Sequence, residues 1–262
     1  MIFLRSLLFG IGMYGVTVAL LVPLVPMLLL PRRLFGHLVR LWARTVLWLA
    51  RTVAGIDFQV RGEIPPAPAI LAVKHQSAWE TIALNLILPD AAFVLKRELM
   101  HIPLFGWGLA KMRNVATDRG GGAAALRRMT AAARQALQDK RYLVVFPEGT
   151  RTAAGTRNNR YHPGIAALYA GTGRAITPVA LNSGCFWPRR GFIKRPGRIL
   201  VEFLPPVEPG LPPRQLVREL AARIETATAR LESESGQPLV TLPPPQVSEK
   251  PVTGTEKKEQ KQ

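Results

Sequence analysis

Two short stretches combine residue types suited to proton transfer and anion binding: Lys74-His75-Gln76-Ser77-Ala78-Trp79-Glu80 and, further along, Phe146-Pro147-Glu148-Gly149-Thr150-Arg151. A neutral imidazole can take a proton from a hydroxyl near pH 7, and a carboxylate partner fixes its tautomer and stabilises the imidazolium that forms. His75 and Glu80 would lie about 140° apart on one continuous helix, so they can meet only if His75 precedes the helix. The apolar run Ile70 to Val73 predicts a strand that ends just before His75, which places the histidine in a strand-to-helix turn. Ser77-x-x-Glu80 is also a capping box, in which Ser77 binds the N3 amide and Glu80 reaches back to the N-cap amide. One carboxylate at a helix start can serve both ends.

Tyr142 to Phe146 reads as a buried strand, and Pro147 to Thr150 as the turn from which Arg151 projects. Gly149 permits close backbone approach, Thr150 offers a hydroxyl, and the Arg151 guanidinium matches phosphate oxygens as a fork. Arg157 and Arg160 add positive field. Alone, this stretch is equally an ordinary strand-ending turn with a solvated arginine. Gly120-Gly121-Gly122 lacks the Lys-Ser/Thr of a P-loop and the G-x-G-x-x-G spacing, so it reads as a helix start. His101 and His162 have no acidic neighbour in sequence and read as structural; Arg127, Arg128 and Arg134 read as a solvated helix face.

These motifs need a scaffold, and the body of the chain alternates short β-like runs with helical ones. Strands are predicted at Asp57 to Arg61, Ala69 to Val73, Phe93 to Lys96, Asn114 to Thr117, Tyr142 to Phe146, Ile176 to Leu181 and Ile199 to Leu204. Helices are predicted at 78–87, 103–112, 121–138, 164–171 and 213–233, the last with Leu216, Leu220, Ile224 and Leu231 as a core-facing stripe. This is an α/β pattern: a mixed, largely parallel sheet flanked by helices, with functional residues in loops at strand ends. Pro188 to Pro196 reads as an exposed loop or a lipid-touching hairpin. Three segments follow: 1–55, a membrane-associating helix pair; 56–236, the catalytic domain; 237–262, a disordered tail rich in proline and then Lys, Glu and Gln.

From Ser6 to Leu30 no side chain is charged, and a helix of that length reaches about 37 Å, enough for a bilayer core of about 30 Å. Pro23 and Pro26 disfavour a straight span, so a helix that dips in and re-emerges stands beside it. Arg32 and Arg33 close the run, and the positive-inside tendency puts that end on the cytoplasmic face. Residues 34–53 predict a second helix with His37, Arg40, Arg44 and Arg51 in an arc of about 60°, and with Trp42 and Trp48 at headgroup depth.

The 262 residues, 48% hydrophobic, suffice for one sizeable core, and the formal charge of +18 attracts polyanions, from anionic lipid to acidic carrier proteins to nucleic acid. A nucleic-acid binder would show aromatic-interleaved basic strands or zinc-finger spacing, and neither is present, so no nucleic-acid partner is expected. A single cysteine, Cys185, excludes an internal disulfide and leaves no Cys/His cluster with metal-ligand spacing. No metal or cofactor is expected.

Together the two motifs resemble those of the glycerolipid acyltransferase family, whose patterns are a His, four residues and an acid, followed by Phe-Pro-Glu-Gly-Thr-Arg. Two weaker blocks also fit: Phe105-Gly106-Trp107 through Asn114 to Asp118-Arg119, and Ile176 to Leu181. The resemblance covers about residues 58–205 and departs at Glu80, where the family usually has Asp, and at Lys74, where Asn is common. It implies that His75 is the general base on an acceptor hydroxyl that attacks an acyl thioester, with Glu80 as its partner. It further implies that Glu148, Gly149, Thr150 and Arg151, with Arg119, form a glycerophosphate site. The implied donor is acyl-CoA or acyl-carrier protein, the acceptor a lysophosphatidic acid, another lyso-phospholipid or a lyso-ornithine lipid, and the partners are membrane lipids. The glutamate leaves a second reading open, a catalytically silent lipid binder. Lys74 either adds positive charge beside the substrate or competes for Glu80.

Overall fold

A computed structural model describes residues 1–118, 120–157 and 161–237. Arg119, Arg160 and the tail from 238 onward lie outside the described residues. The chain opens with helix α1 (Ile2–Met27), which turns back through Leu28 to Leu30 into α2 (Arg32–Leu49). Residues Ala50–Ala54 add one wider π-helical turn, ended by Gly55 at φ 71°, where a side chain would press on Pro196 Cβ at 3.0 Å. Then follow β1 (Ile56–Arg61), β2 (Ile70–Val73), α3 (Trp79–Ile87), β3 (Ala91–Lys96) and a 3₁₀ turn at Arg97–His101. The chain continues through α4 (Phe105–Lys111), β4 (Val115–Thr117), α5 (Gly122–Gln138), β5 (Tyr142–Val145), α6 (Gly164–Thr172) and β6 (Ile176–Leu181). It closes with the single turn α7 (Ser183–Phe186), β7 (Gly197–Phe203) and α8 (Pro213–Glu234).

The strands form one seven-stranded sheet in the order β1-β7-β6-β2-β5-β3-β4. All neighbours are parallel except β6 and β7, so β1 and β7 run against the other five. The alternation of strand side chains decides which layer each residue joins. Leu71, Val73, Val144 and Val179 meet α1, α2 and α3, while Ile70, Ala72, Leu143, Val145 and Ile176 meet α5, α6 and α8. The central strands are apolar on both faces because each face carries helices. Leu216, Leu220, Ile224 and Leu231 are all fully buried, as their spacing predicts.

The helix pair is part of this sandwich. Phe9 from α1 and Ala43, Val46 and Leu47 from α2 are buried in the cluster that contains Leu71 and Val73. The expected boundary at 55/56 therefore falls at a backbone turn, with continuous packing across it. α1 runs through Pro23 and Pro26 to Met27. Its Ile2–Leu21 stretch is long and apolar enough to cross a membrane, and only 11% of it is buried. Phe3, Leu8, Ile11, Tyr14 and Val18 are exposed along it, as are Leu34, Leu41 and Trp48 on α2. Trp42 is half-buried, and its indole Nε1 donates to Thr17 Oγ1 (3.1 Å) between the two helices.

Arg32, which follows the apolar run, takes part in a partly buried charge cluster. It forms a two-pronged ion pair with Asp90, which also accepts from Arg141 Nε at 3.0 Å. Arg141 is buried, and its remaining donors reach the carbonyls of Arg113, Ala91 and Met112 at 2.9–3.1 Å. This cluster ties the start of α2 to the ends of β3 and β5. Burial opposes charge on Asp90, but Arg32 and Arg141 outweigh it and hold the carboxyl below its ordinary pKa. A lowered carboxylate pKa contributes stability above the unfolded-state value, and that contribution disappears as pH falls through the folded-state value. We expect Asp90→Ala to destabilise by about 1–3 kcal/mol at neutral pH, since it removes the partly exposed carboxylate that faces the buried Arg141 guanidinium. Thermal unfolding should show the gap between wild type and variant closing below about pH 4.

Candidate active site

β2 ends at Val73 and α3 begins at Trp79, and the turn between them carries His75. The imidazole Nδ1 lies 2.9 Å from Glu80 Oε1. That same oxygen accepts the backbone N–H groups of Gln76 (2.7 Å) and Ser77 (2.6 Å), and Oε2 accepts Ser183 Oγ–H (2.8 Å). An oxygen that already accepts two amide hydrogens acts as an oxyanion, so Nδ1 carries the proton and Nε2 keeps its lone pair. Glu80 is fully buried in the first turn of α3, where the helix N-terminus favours its charge. The predicted capping box forms in part: Glu80 returns to the Ser77 amide, while Ser77 Oγ accepts from Trp79 N (3.0 Å) rather than from residue 80. His75 stacks on Phe146, with ring centroids 4.0 Å apart and planes 20° apart.

The second motif holds the backbone around the histidine. Glu148 Oε2 accepts His75 N–H (2.7 Å), and Thr152 N donates to His75 O (2.8 Å). Glu148 Oε1 accepts from Lys74 Nζ (2.6 Å) and Thr152 Oγ1 (2.7 Å). Burial pushes the Glu148 carboxyl above its ordinary pKa, against the pull of Lys74. Glu148 thus faces inward, behind the histidine, and not into the open site where the resemblance put it. Gly149 has φ 67° and its N–H closes a turn on Phe146 O (2.9 Å), a conformation that favours glycine. Gly149, Thr150 and Arg151 line the same cleft as His75.

Helix α8 braces both neighbours of His75, which the sequence reading missed. Lys74 is fully buried and, besides Glu148, donates to Glu225 Oε1 (2.7 Å), which also accepts Tyr161 O–H (3.1 Å). Lys74 therefore neither competes for Glu80 nor reaches the substrate space. On the other side of His75, Gln76 Nε2 donates to Glu232 Oε1 (2.6 Å), and Gln76 Oε1 accepts Gly184 N–H (3.0 Å). Glu232 also accepts from Gly155 N (3.1 Å) and Arg157 (2.8 Å), so Arg157 serves structure more than the open field. Seven residues are nearly two helical turns, so Glu225 and Glu232 share a face of α8. Two glutamates a heptad apart beside an apolar stripe were the available signal.

The cleft in front of His75 holds about 580 Å³. Its far walls are apolar, built by Leu20, Phe35, Leu38 and Val39 of the helix pair and by Leu99, Leu109 and Met112 opposite. Lys96, Arg151 and Arg189 supply the positive groups at its rim. The site thus joins a base with a free nitrogen, a cationic rim and room for a hydrocarbon chain.

A model of the family described as Acyltransferase matches residues 56–182, which span both motifs. A 1-acyl-sn-glycerol-3-phosphate acyltransferase of Pseudomonas aeruginosa is 34% identical over 89% of this chain and 91% of its own length. The chain belongs to this acyltransferase family. A Saccharomyces cerevisiae protein of the same name is 28% identical over 92% of this chain and 82% of its own. A lyso-ornithine lipid O-acyltransferase of P. aeruginosa is 35% identical, over 52% of each chain. The fold matches the crystal structure of a Thermotoga maritima 1-acyl-sn-glycerophosphate acyltransferase with a TM-score of 0.68, covering 89% of this chain and 98% of that one at 19% identity.

Replacing Lys74 by Met would leave the buried Glu148 and Glu225 facing each other without a cation. Denaturant unfolding should show a loss of about 3–5 kcal/mol, partly recovered when Glu225→Gln is added.

Proposed function

We propose that this protein transfers a fatty acyl group from a thioester to the sn-2 hydroxyl of 1-acyl-glycerol-3-phosphate, giving phosphatidic acid at a membrane surface. The observation that carries the reading is the His75–Glu80 pair, with Nδ1 held at 2.9 Å and His75 lining the cationic, apolar-walled cleft. Nε2 takes the acceptor hydroxyl proton as the oxygen attacks the thioester carbonyl. The tetrahedral intermediate then expels the thiolate, which receives that proton from the imidazolium. Glu80 stays ionised and stabilises the imidazolium, so no acyl-enzyme is formed and the thioester, acyl-CoA or acyl-carrier protein, is a co-substrate.

Arg151 at the rim holds the acceptor phosphate. The apolar walls take an acyl chain, and the exposed faces of α1 and α2 meet lipid, with the catalytic domain on the cytoplasmic side. Similarity to a lyso-ornithine lipid acyltransferase supports a second reading in which the acceptor carries no phosphate. Rim cations that pair with no carboxylate among the described residues favour a phosphate-bearing acceptor.

Purified His75→Ala should lose about 10²–10⁴-fold in kcat, the usual contribution of a positioned base. Activity close to wild type would refute the mechanism. Glu80→Gln, which keeps the shape but cannot hold the imidazolium, should lower kcat by up to about 10⁴-fold, whereas a silent lipid binder would have no turnover to lose. A panel of lysophosphatidate, lysophosphatidylcholine and lyso-ornithine lipid offered to wild type should show lysophosphatidate preferred, and preference for the ornithine lipid would establish the second reading.

A further inference from the structure

Of the three cations at the cleft rim, Arg151 belongs to the second motif and Lys96 ends β3, whereas Arg189 comes from the segment predicted as an exposed loop or a lipid-touching hairpin. That segment is not a hairpin and is firmly held. Trp187 packs edge-on against Phe9 of α1 at 5.0 Å, Lys194 N–H donates to Ser6 Oγ (2.9 Å), and Arg195 N–H donates to Phe186 O (2.9 Å). From this anchored loop Arg189 reaches over the rim, and its Nη1 donates to the backbone carbonyl of Arg151 at 2.6 Å. A guanidinium has five N–H donors, and one is used here, so the rest are available to a ligand. Neither Arg151, Arg189 nor Lys96 pairs with a carboxylate among the described residues, although all three line one cleft. Such an uncompensated group of cations calls for a multiply charged anion.

We propose that Arg189 is a substrate-binding residue that, with Arg151, grips a phosphate monoester dianion at the cleft mouth. This rests on the acyl-transfer reading above. Two substrates carry such a group, the glycerophosphate of the acceptor and the 3′-phosphate of a coenzyme A donor. Arg189 lies on a loop tied to α1, so the lipid-facing helix and the anion site share one rigid connection.

Steady-state kinetics of Arg189→Ala and Arg189→Lys, with lysophosphatidate, acyl-CoA and acyl-dephospho-CoA varied in turn, test this. Arg189→Ala should raise KM for the phosphate-bearing substrate roughly 10- to 100-fold, as expected for a lost charge-assisted contact, with kcat within a few-fold and partial rescue by lysine. A rise confined to lysophosphatidate assigns the contact to the acceptor. A rise for acyl-CoA that is absent with acyl-dephospho-CoA assigns it to the donor. A fall in kcat alone, or KM values within twofold of wild type, overturns the proposal. Calorimetry with glycerol 3-phosphate and 3′-AMP separates this from the functional reading. Should wild type not acylate lysophosphatidate, that reading fails, yet weaker binding of either phosphate to Arg189→Ala still supports the contact, and equal binding of both overturns it.

Discussion

A lysine ammonium with no exposure to solvent sits directly behind the turn that carries His75, held between Glu148 and Glu225. Taking such a charge out of water costs several kcal/mol, and only close, well-satisfied partners offset it. Every contact that offsets it also fixes the turn. Glu148 reaches the His75 amide with its second oxygen, Thr152 closes on the His75 carbonyl, and Glu225 brings in α8 from far along the chain. His75 therefore has little backbone freedom, and its ring is confined further by stacking on Phe146. The lysine is matched by acids on two other elements.

The glutamate at position 80 solves a related problem. A carboxylate that orients an imidazole must stay ionised while buried, and here four donors and a helix N-terminus keep it so. Capping and orientation are therefore one interaction. The carboxylate lies back over the turn and collects the Gln76 and Ser77 amides together with the imidazole. Ser183, from the turn after β6, completes the set, so the dyad depends on strand order as much as on the motif.

The apolar N-terminus has two faces with different work. Phe9, Ala43, Val46 and Leu47 build one layer of the sandwich, while Ile11, Tyr14, Val18 and Trp48 remain uncovered. Between these surfaces, Leu20, Phe35 and Leu38 wall the cleft that ends at His75. The same helices therefore both pack on the sheet and line the cleft. The ion pairs of Arg32 and Arg141 with Asp90 hold that geometry at the start of α2.

Local chemistry made much of this legible in advance. Seven strands and five body helices were placed by period-2 and period-3.6 apolar patterns, and the rule that residues five apart cannot meet on one helix put His75 in a turn before α3. The sequence by itself therefore determined the α/β class, the place of His75 in a turn before the helix and the turn bearing Arg151, because each rests on near neighbours in the chain. It could not reveal that Lys74 is buried, that Glu148 faces inward, or that Ser183, Glu225, Glu232 and Arg189 join the site. Those depend on pairing between residues 38 to 156 positions apart. Such pairing is decided by the order of strands and by which side of a helix meets the sheet, and a charged residue looks the same in a string whether it faces water or an opposite charge.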